Sequence, residues 1–155
     1  MGEARPRSGA IGLALLTLSC KAPGPPPLDP AVIARGRQVY ATRCARCHGP
    51  NGEGAPSWRE PDGQGELPPP PHNAEGHTWR HGDGMLYRIV GEGWRDPFNR
   101  TTRLTMPPFG DSLSSGDIRA VIIYFKTWWQ PEQRSVQWEE SQQEPFPPET
   151  TGPPR

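Results

Sequence analysis

The sequence of 155 residues is poor in apolar side chains, which make up 32% of it. It holds only three cysteines, three methionines and four histidines, and 17 Lys plus Arg are balanced by 17 Asp plus Glu. The charge balance and the lack of a basic stripe exclude the usual electrostatic footprint of a nucleic-acid partner. No apolar run is long enough to cross a bilayer, which takes ~20 residues; residues 10–18 form a run of about half that length. Proline (22) and glycine (18) are abundant, as in chains with long loops or disordered segments. Less than the full length is therefore expected to fold, as one modest domain, and a bound apolar group that favours the folded state would make up for the small core.

The first twenty residues read as a targeting segment. Arg5 and Arg7 give a basic start, and the uncharged stretch 10–18 matches the core of a secretion signal. Leu16-Thr17-Leu18-Ser19-Cys20 resembles a bacterial lipobox, with Ser19 fitting its place and Thr17 standing where leucine is usual. That resemblance implies lipidation of Cys20 after cleavage, hence a periplasmic or other extracytoplasmic protein anchored to a bacterial membrane. Residues 21–30, rich in proline, read as a stiff extended tether.

Helical patterns dominate the remainder. Asp29 suits an N-cap and Pro30 a first turn, which predicts a helix over 31–48. Gly36 inside it costs ~1 kcal/mol against alanine, so a close approach by another helix is expected there. Residues 49–54 are turn-rich, 55–82 loop-like with many prolines, 83–90 a short helix and 91–112 loop again. Ser114 and Asp117 resemble a capping box. Ile118, Val121, Ile122, Phe125 and Trp128 or Trp129 follow at helical spacing and should pack on the first helix near Gly36 and Tyr40. Residues 131–155 are polar and proline-rich and are expected to be mostly disordered.

Cys44-Ala45-Arg46-Cys47-His48 carries the chemistry. Positions i, i+3 and i+4 share one face of a helix. Two thiols there can form thioethers with the vinyl groups of one haem, and the imidazole falls beneath its iron. The His48 Nε2 would bind iron while Nδ1–H donates to a backbone carbonyl. Three alternatives stay open at this point. A zinc site would need four ligands, with His72, His77 or His81 completing the set. A thioredoxin-like pair would need a βαβ setting. A plain disulfide is compatible with an exported chain.

From about residue 30 to 130 the chain resembles a class I, monohaem bacterial cytochrome c. The resemblance is carried by Gly36 and Tyr40, by Cys44 to Gly49 and the glycine-rich turn after it, by Met106-Pro107, and by the last helix with Tyr124 and Phe125. It implies an all-α fold with helices crossing around a haem crevice over residues 31–130, one covalent haem c held by Cys44, Cys47 and His48, and Met106 as the distal iron ligand. Met106 lies in a loop before two prolines that restrain the backbone, whereas Met85 lies on a helical apolar stretch and suits the core. A bis-histidine haem using His72, His77 or His81 is the rival ligation. In the segment 72–84, His77, Trp79 or Arg80 would meet the haem propionates, with a three-histidine copper site as the sharper alternative. Two axial ligands leave no open position, which implies a single-electron carrier for redox protein partners and no catalytic residue. The alternatives are an electron-entry subunit of a larger oxidoreductase, or a five-coordinate haem sensor or enzyme.

Overall fold

The structure, a computed structural model, describes residues 24–97 and 99–149. The targeting segment, Cys20 and the last residues of the chain lie outside the described residues. The fold is all-α: among the described residues there is no strand, only an isolated antiparallel bridge between Trp94 and Met106. None of the described helices is long and apolar enough to cross a membrane.

Helix α1 spans Pro30–Val39. The Asp29 carboxylate accepts from the Ala31 amide at 2.8 Å, and Pro30 occupies the first turn, where its missing N–H is no loss. The chain continues through one π-helical turn, Tyr40–Cys44, into a last helical turn, α2, Ala45–His48. The predicted helix over 31–48 is thus continuous but underwound in its middle. Helix α3 covers Asp83–Glu92 and α4 covers Ser115–Phe125. The capping box at the start of α4 is formed: Ser114 Oγ accepts from the Asp117 amide at 3.1 Å, and Asp117 accepts from the Ser114 amide at 3.3 Å.

Helices α1 and α4 cross at Gly36. A Cβ placed there would sit 2.0 Å from the Ala120 carbonyl oxygen, so only glycine allows this approach. The apolar stripe of α4 (Ile118, Val121, Ile122, Phe125) is buried against Val39 and Tyr40, together with Leu86 and Val90 of α3. Tyr40 is ringed by Tyr124, Phe125 and Trp128, with centroids 5.7, 5.9 and 5.0 Å away. Such tilted and edge-on aromatic contacts stabilise by ~0.5–1.5 kcal/mol each beyond the area they bury.

The expectation of disorder from residue 131 is corrected by the structure. Residues Pro131–Gln143 form a further helix, α5, with Pro131 in its first turn. It docks through polar groups: Gln137 Nε2 donates to Asp83 Oδ1 at 2.7 Å, and Ser141 Oγ accepts from the Asp83 amide at 3.1 Å. Asp83 also meets the buried Lys126 ammonium at 2.7 Å. Gln137 and Ser141 are themselves buried. A hydrophobic pattern is blind to a helix that packs by amide and hydroxyl. The described part of the expected tether also touches α5, because Arg134 donates to the Pro26 carbonyl at 3.2 Å.

Candidate haem-binding site

The π turn leads directly into the Cys-His segment. The Ala45 amide reaches back five residues to the Tyr40 carbonyl, and this widened, underwound turn ends at Cys44. Cys44 is buried and Cys47 exposed, and both are free thiols rather than a disulfide. Burial, and then the neighbouring Cys47, push the Cys44 thiol up to about 11, so it stands protonated at neutral pH.

His48 ends α2 and is buried. Gly49, at φ +78°, breaks the helix behind it and turns the chain. The His48 carbonyl accepts from Gly54 N at 2.8 Å and from the Tyr40 hydroxyl at 3.3 Å, and that hydroxyl also donates to the Gly49 carbonyl at 2.7 Å. The ring lies with Nδ1 2.8 Å from the Pro70 carbonyl oxygen. A carbonyl only accepts, so Nδ1 carries the proton and the lone pair belongs to Nε2. Burial lowers the His48 pKa, partly offset by the Pro70 bond, which keeps the imidazole neutral and able to ligate. This is the arrangement expected of an iron-ligating histidine whose outer nitrogen is held by the backbone.

The other three histidines are not gathered into a cage. Among the described residues no three of His, Cys, Asp and Glu converge to hold a metal ion, which leaves the zinc and copper alternatives without geometry. His72 lies face to face with His48, centroids 4.1 Å apart. A ring stacked flat on His48 lies beside the imidazole rather than beyond its Nε2, so His72 is not placed to share a metal with it. His77 stacks on Trp58 at 5.6 Å and meets His81 edge-on at 5.4 Å. The Trp79 indole N–H is committed to the Gly76 carbonyl at 3.0 Å and is not free for a propionate, while Arg80 lies over the Trp79 ring. His77 retains a buried Nδ1 without a hydrogen-bond partner among the described residues.

Met106 is half-buried against the core cluster. Its backbone is fixed by paired bonds with Trp94, each 3.0 Å: Trp94 N to the Met106 carbonyl and Met106 N to the Trp94 carbonyl. Gly93, at φ +82°, permits this closure, since a Cβ there would come within 2.7 Å of the Met106 carbonyl. Met85 sits half-buried on α3. The loop before Met106 is tied down by Glu66, which accepts from Thr101 Oγ1 at 2.8 Å, from Asn99 Nδ2 at 3.1 Å and from the Arg103 guanidinium. Glu66 and Pro70 were not legible as site residues. The only signal was the length of loop 55–82, which suggested that it wraps something.

The free thiols and the neutral His48 with its committed Nδ1 fit a haem. The cytochrome c family profile matches residues 33–129, ending just before α5. Over 100 residues the chain is 29% identical to a cbb3-type cytochrome c oxidase subunit FixP of Sinorhizobium medicae (strain WSM419). That match covers 64% of this chain and 31% of the relative, so the chain spans under a third of the relative's length. With most of its length matched and its Cys-Cys-His segment so arranged, the chain belongs to the cytochrome c family, proteins that bind haem covalently and transfer electrons.

Proposed function

We propose that the protein is an exported electron carrier, not an enzyme in its own right. Cys44 and Cys47 would hold one haem c through thioethers, and His48 and Met106 would ligate its iron. The observation that carries this is the His48 ring, oriented by the 2.8 Å bond to Pro70 and neutral by burial. When bound, the haem supplies a one-electron iron couple whose potential a thioether ligand raises. The chain keeps His48 in one tautomer, and the Trp94 bridge holds the Met106 backbone in place. With His48 and Met106 both engaged on it, the haem would suit electron exchange with redox proteins through a small transient interface, below ~1,200 Å². Cys20, lipidated, would keep the domain beside membrane-bound partners. A second reading, an electron-entry subunit of a larger oxidoreductase, is favoured by the similarity to an oxidase subunit.

Spectra of the purified haem-loaded protein test the site. Acidified organic extraction should leave haem on the polypeptide. The oxidised protein should show the weak sulfur-to-iron band near the red end, lost in Met106→Ala and kept in Met85→Ala. Fast carbon monoxide binding by the reduced wild type would mean a labile sixth position and a sensor or enzyme. Fractionation of wild type and Cys20→Ala tests the anchor. Purification from detergent extracts, alone or with other redox subunits, separates the carrier from the subunit.

A further inference from the structure

A column of four rings runs from the site into the last apolar helix. His72 stacks on His48 with planes 28° apart, its other face meets Phe125 at 4.4 Å and 11°, and Phe125 stacks toward Trp128 at 6.3 Å and 12°. An aliphatic side chain would fill the middle of such a column without a polar group to satisfy, whereas a buried imidazole needs a partner.

That partner is Thr78, whose Oγ1 lies 3.0 Å from His72 Nδ1. The same hydroxyl donates to the Pro71 carbonyl at 3.3 Å, so it accepts from His72 and sets the rotation of that ring. The His72 backbone is pinned as well: its amide donates to Gly52 O at 2.8 Å and its carbonyl accepts from Trp129 Nε1 at 2.8 Å. Pro71 adjoins Pro70, whose carbonyl takes the Nδ1 proton of His48. Both constraints on His48 therefore pass through this residue. One is the flat face that the ring lies against. The other is the short segment that carries its hydrogen-bond acceptor. A single hydrogen bond leaves an imidazole free to rock about the N···O line, and a stacked ring removes that freedom.

We propose that His72 is a positioning residue for the axial imidazole, setting the plane of the His48 ring and the strength of its bond to Pro70, and through them the reduction potential. This rests on haem attachment with His48 on iron.

The test uses the haem-loaded full-length protein and three variants. His72→Leu keeps the bulk but removes the flat face and the N–H. His72→Phe keeps the face alone. Thr78→Val keeps the ring but removes its partner. The spread of the paramagnetically shifted haem methyl resonances of the oxidised protein reports the imidazole plane, and redox titration reports the potential. In His72→Leu the methyl pattern should change and the potential should rise, because a loosened Pro70 bond makes His48 a weaker electron donor. Thr78→Val should move both the same way by less, and His72→Phe should keep a methyl pattern nearer the wild type than His72→Leu does. Wild-type methyl pattern and potential in His72→Leu, with only a lower Tm, would reduce His72 to core packing and overturn the proposal. Should His72→Leu fail to mature, unchanged values in Thr78→Val overturn it equally. A wild type without covalent haem would instead defeat the assignment of the site itself.

Discussion

Tyr40 joins the core to the site. Its ring is held among Tyr124, Phe125 and Trp128, while its hydroxyl reaches the carbonyls of His48 and Gly49, where the Cys44–His48 segment ends. Removing that hydroxyl leaves the ring contacts intact and strips the Gly49 carbonyl of a 2.7 Å donor. Tyr40→Phe should lower stability by about 1 kcal/mol, the usual net worth of one hydrogen bond. Thermal denaturation of the haem-loaded protein checks this, and covalent attachment should be unaffected. Loss of haem loading belongs instead to Cys44→Ala and Cys47→Ala, each of which would remove one attachment point and should impair maturation, read as a lower yield of haem-loaded protein.

At the scale of elements, two joints decide the geometry. The first is the α1–α4 crossing. Gly36→Ala would drive a methyl group into the Ala120 carbonyl and the Tyr124 Cβ, at 2.0 and 2.7 Å. Backbone has to move to relieve such a clash, so a cost of about 1–3 kcal/mol is expected from overpacking alone, although alanine is the better helix former. Urea unfolding would show it as a lower midpoint at unchanged slope. The second joint is Glu66, which binds loop 55–82 to the loop before Met106. Its carboxyl is held below the ordinary value of 4.5, first by the Arg103 hydrogen bond and then by Thr101, against the opposing effect of burial. A carboxyl lowered in this way contributes stability that is complete above the unfolded pKa and is lost as the pH falls through the folded one. Acidification below about 4.5 should therefore loosen the Met106 loop. An acid titration of the red-end band would follow this, and Glu66→Gln should flatten that pH dependence while weakening the loop at neutral pH.

On the scale of the whole molecule, α5 is a polar addition beyond the residues shared with the family. Its attachment is one buried network: Lys126 and Asp83 from the ends of α4 and α3, and Gln137 and Ser141 from α5. Burial lowers the Lys126 pKa and Asp83 opposes this, so the pair depends on both members. Asp83→Ala would leave a buried ammonium without a counter-charge and undock α5, with a cost of about 3–5 kcal/mol. A chain ending at Gln130 should still attach haem, because the Cys44–His48 turn and its Pro70 partner remain. Its Tm should fall, and Asp83→Ala in that shortened background should cost less than in the full chain, since water can then reach Lys126.

Local chemistry alone determined much of this protein. Asp29 and Ser114 as helix caps, Gly36 as the crossing point, the α4 stripe and the Cys44–His48 segment all follow from spacings within a turn or two, where a side chain meets the same neighbours in any fold. Tertiary structure decided the rest. The acceptor for His48 lies 22 residues away, in a proline run that offers several carbonyls. His72 was one of three equivalent histidines until the fold stacked it on His48 and set the other two apart. The tail from Pro131 has no apolar stripe, and its helix docks through buried polar partners such as Asp83. A pattern along the chain records which face is apolar. It does not record which distant amide, carbonyl or ring will meet a polar group once the backbone closes.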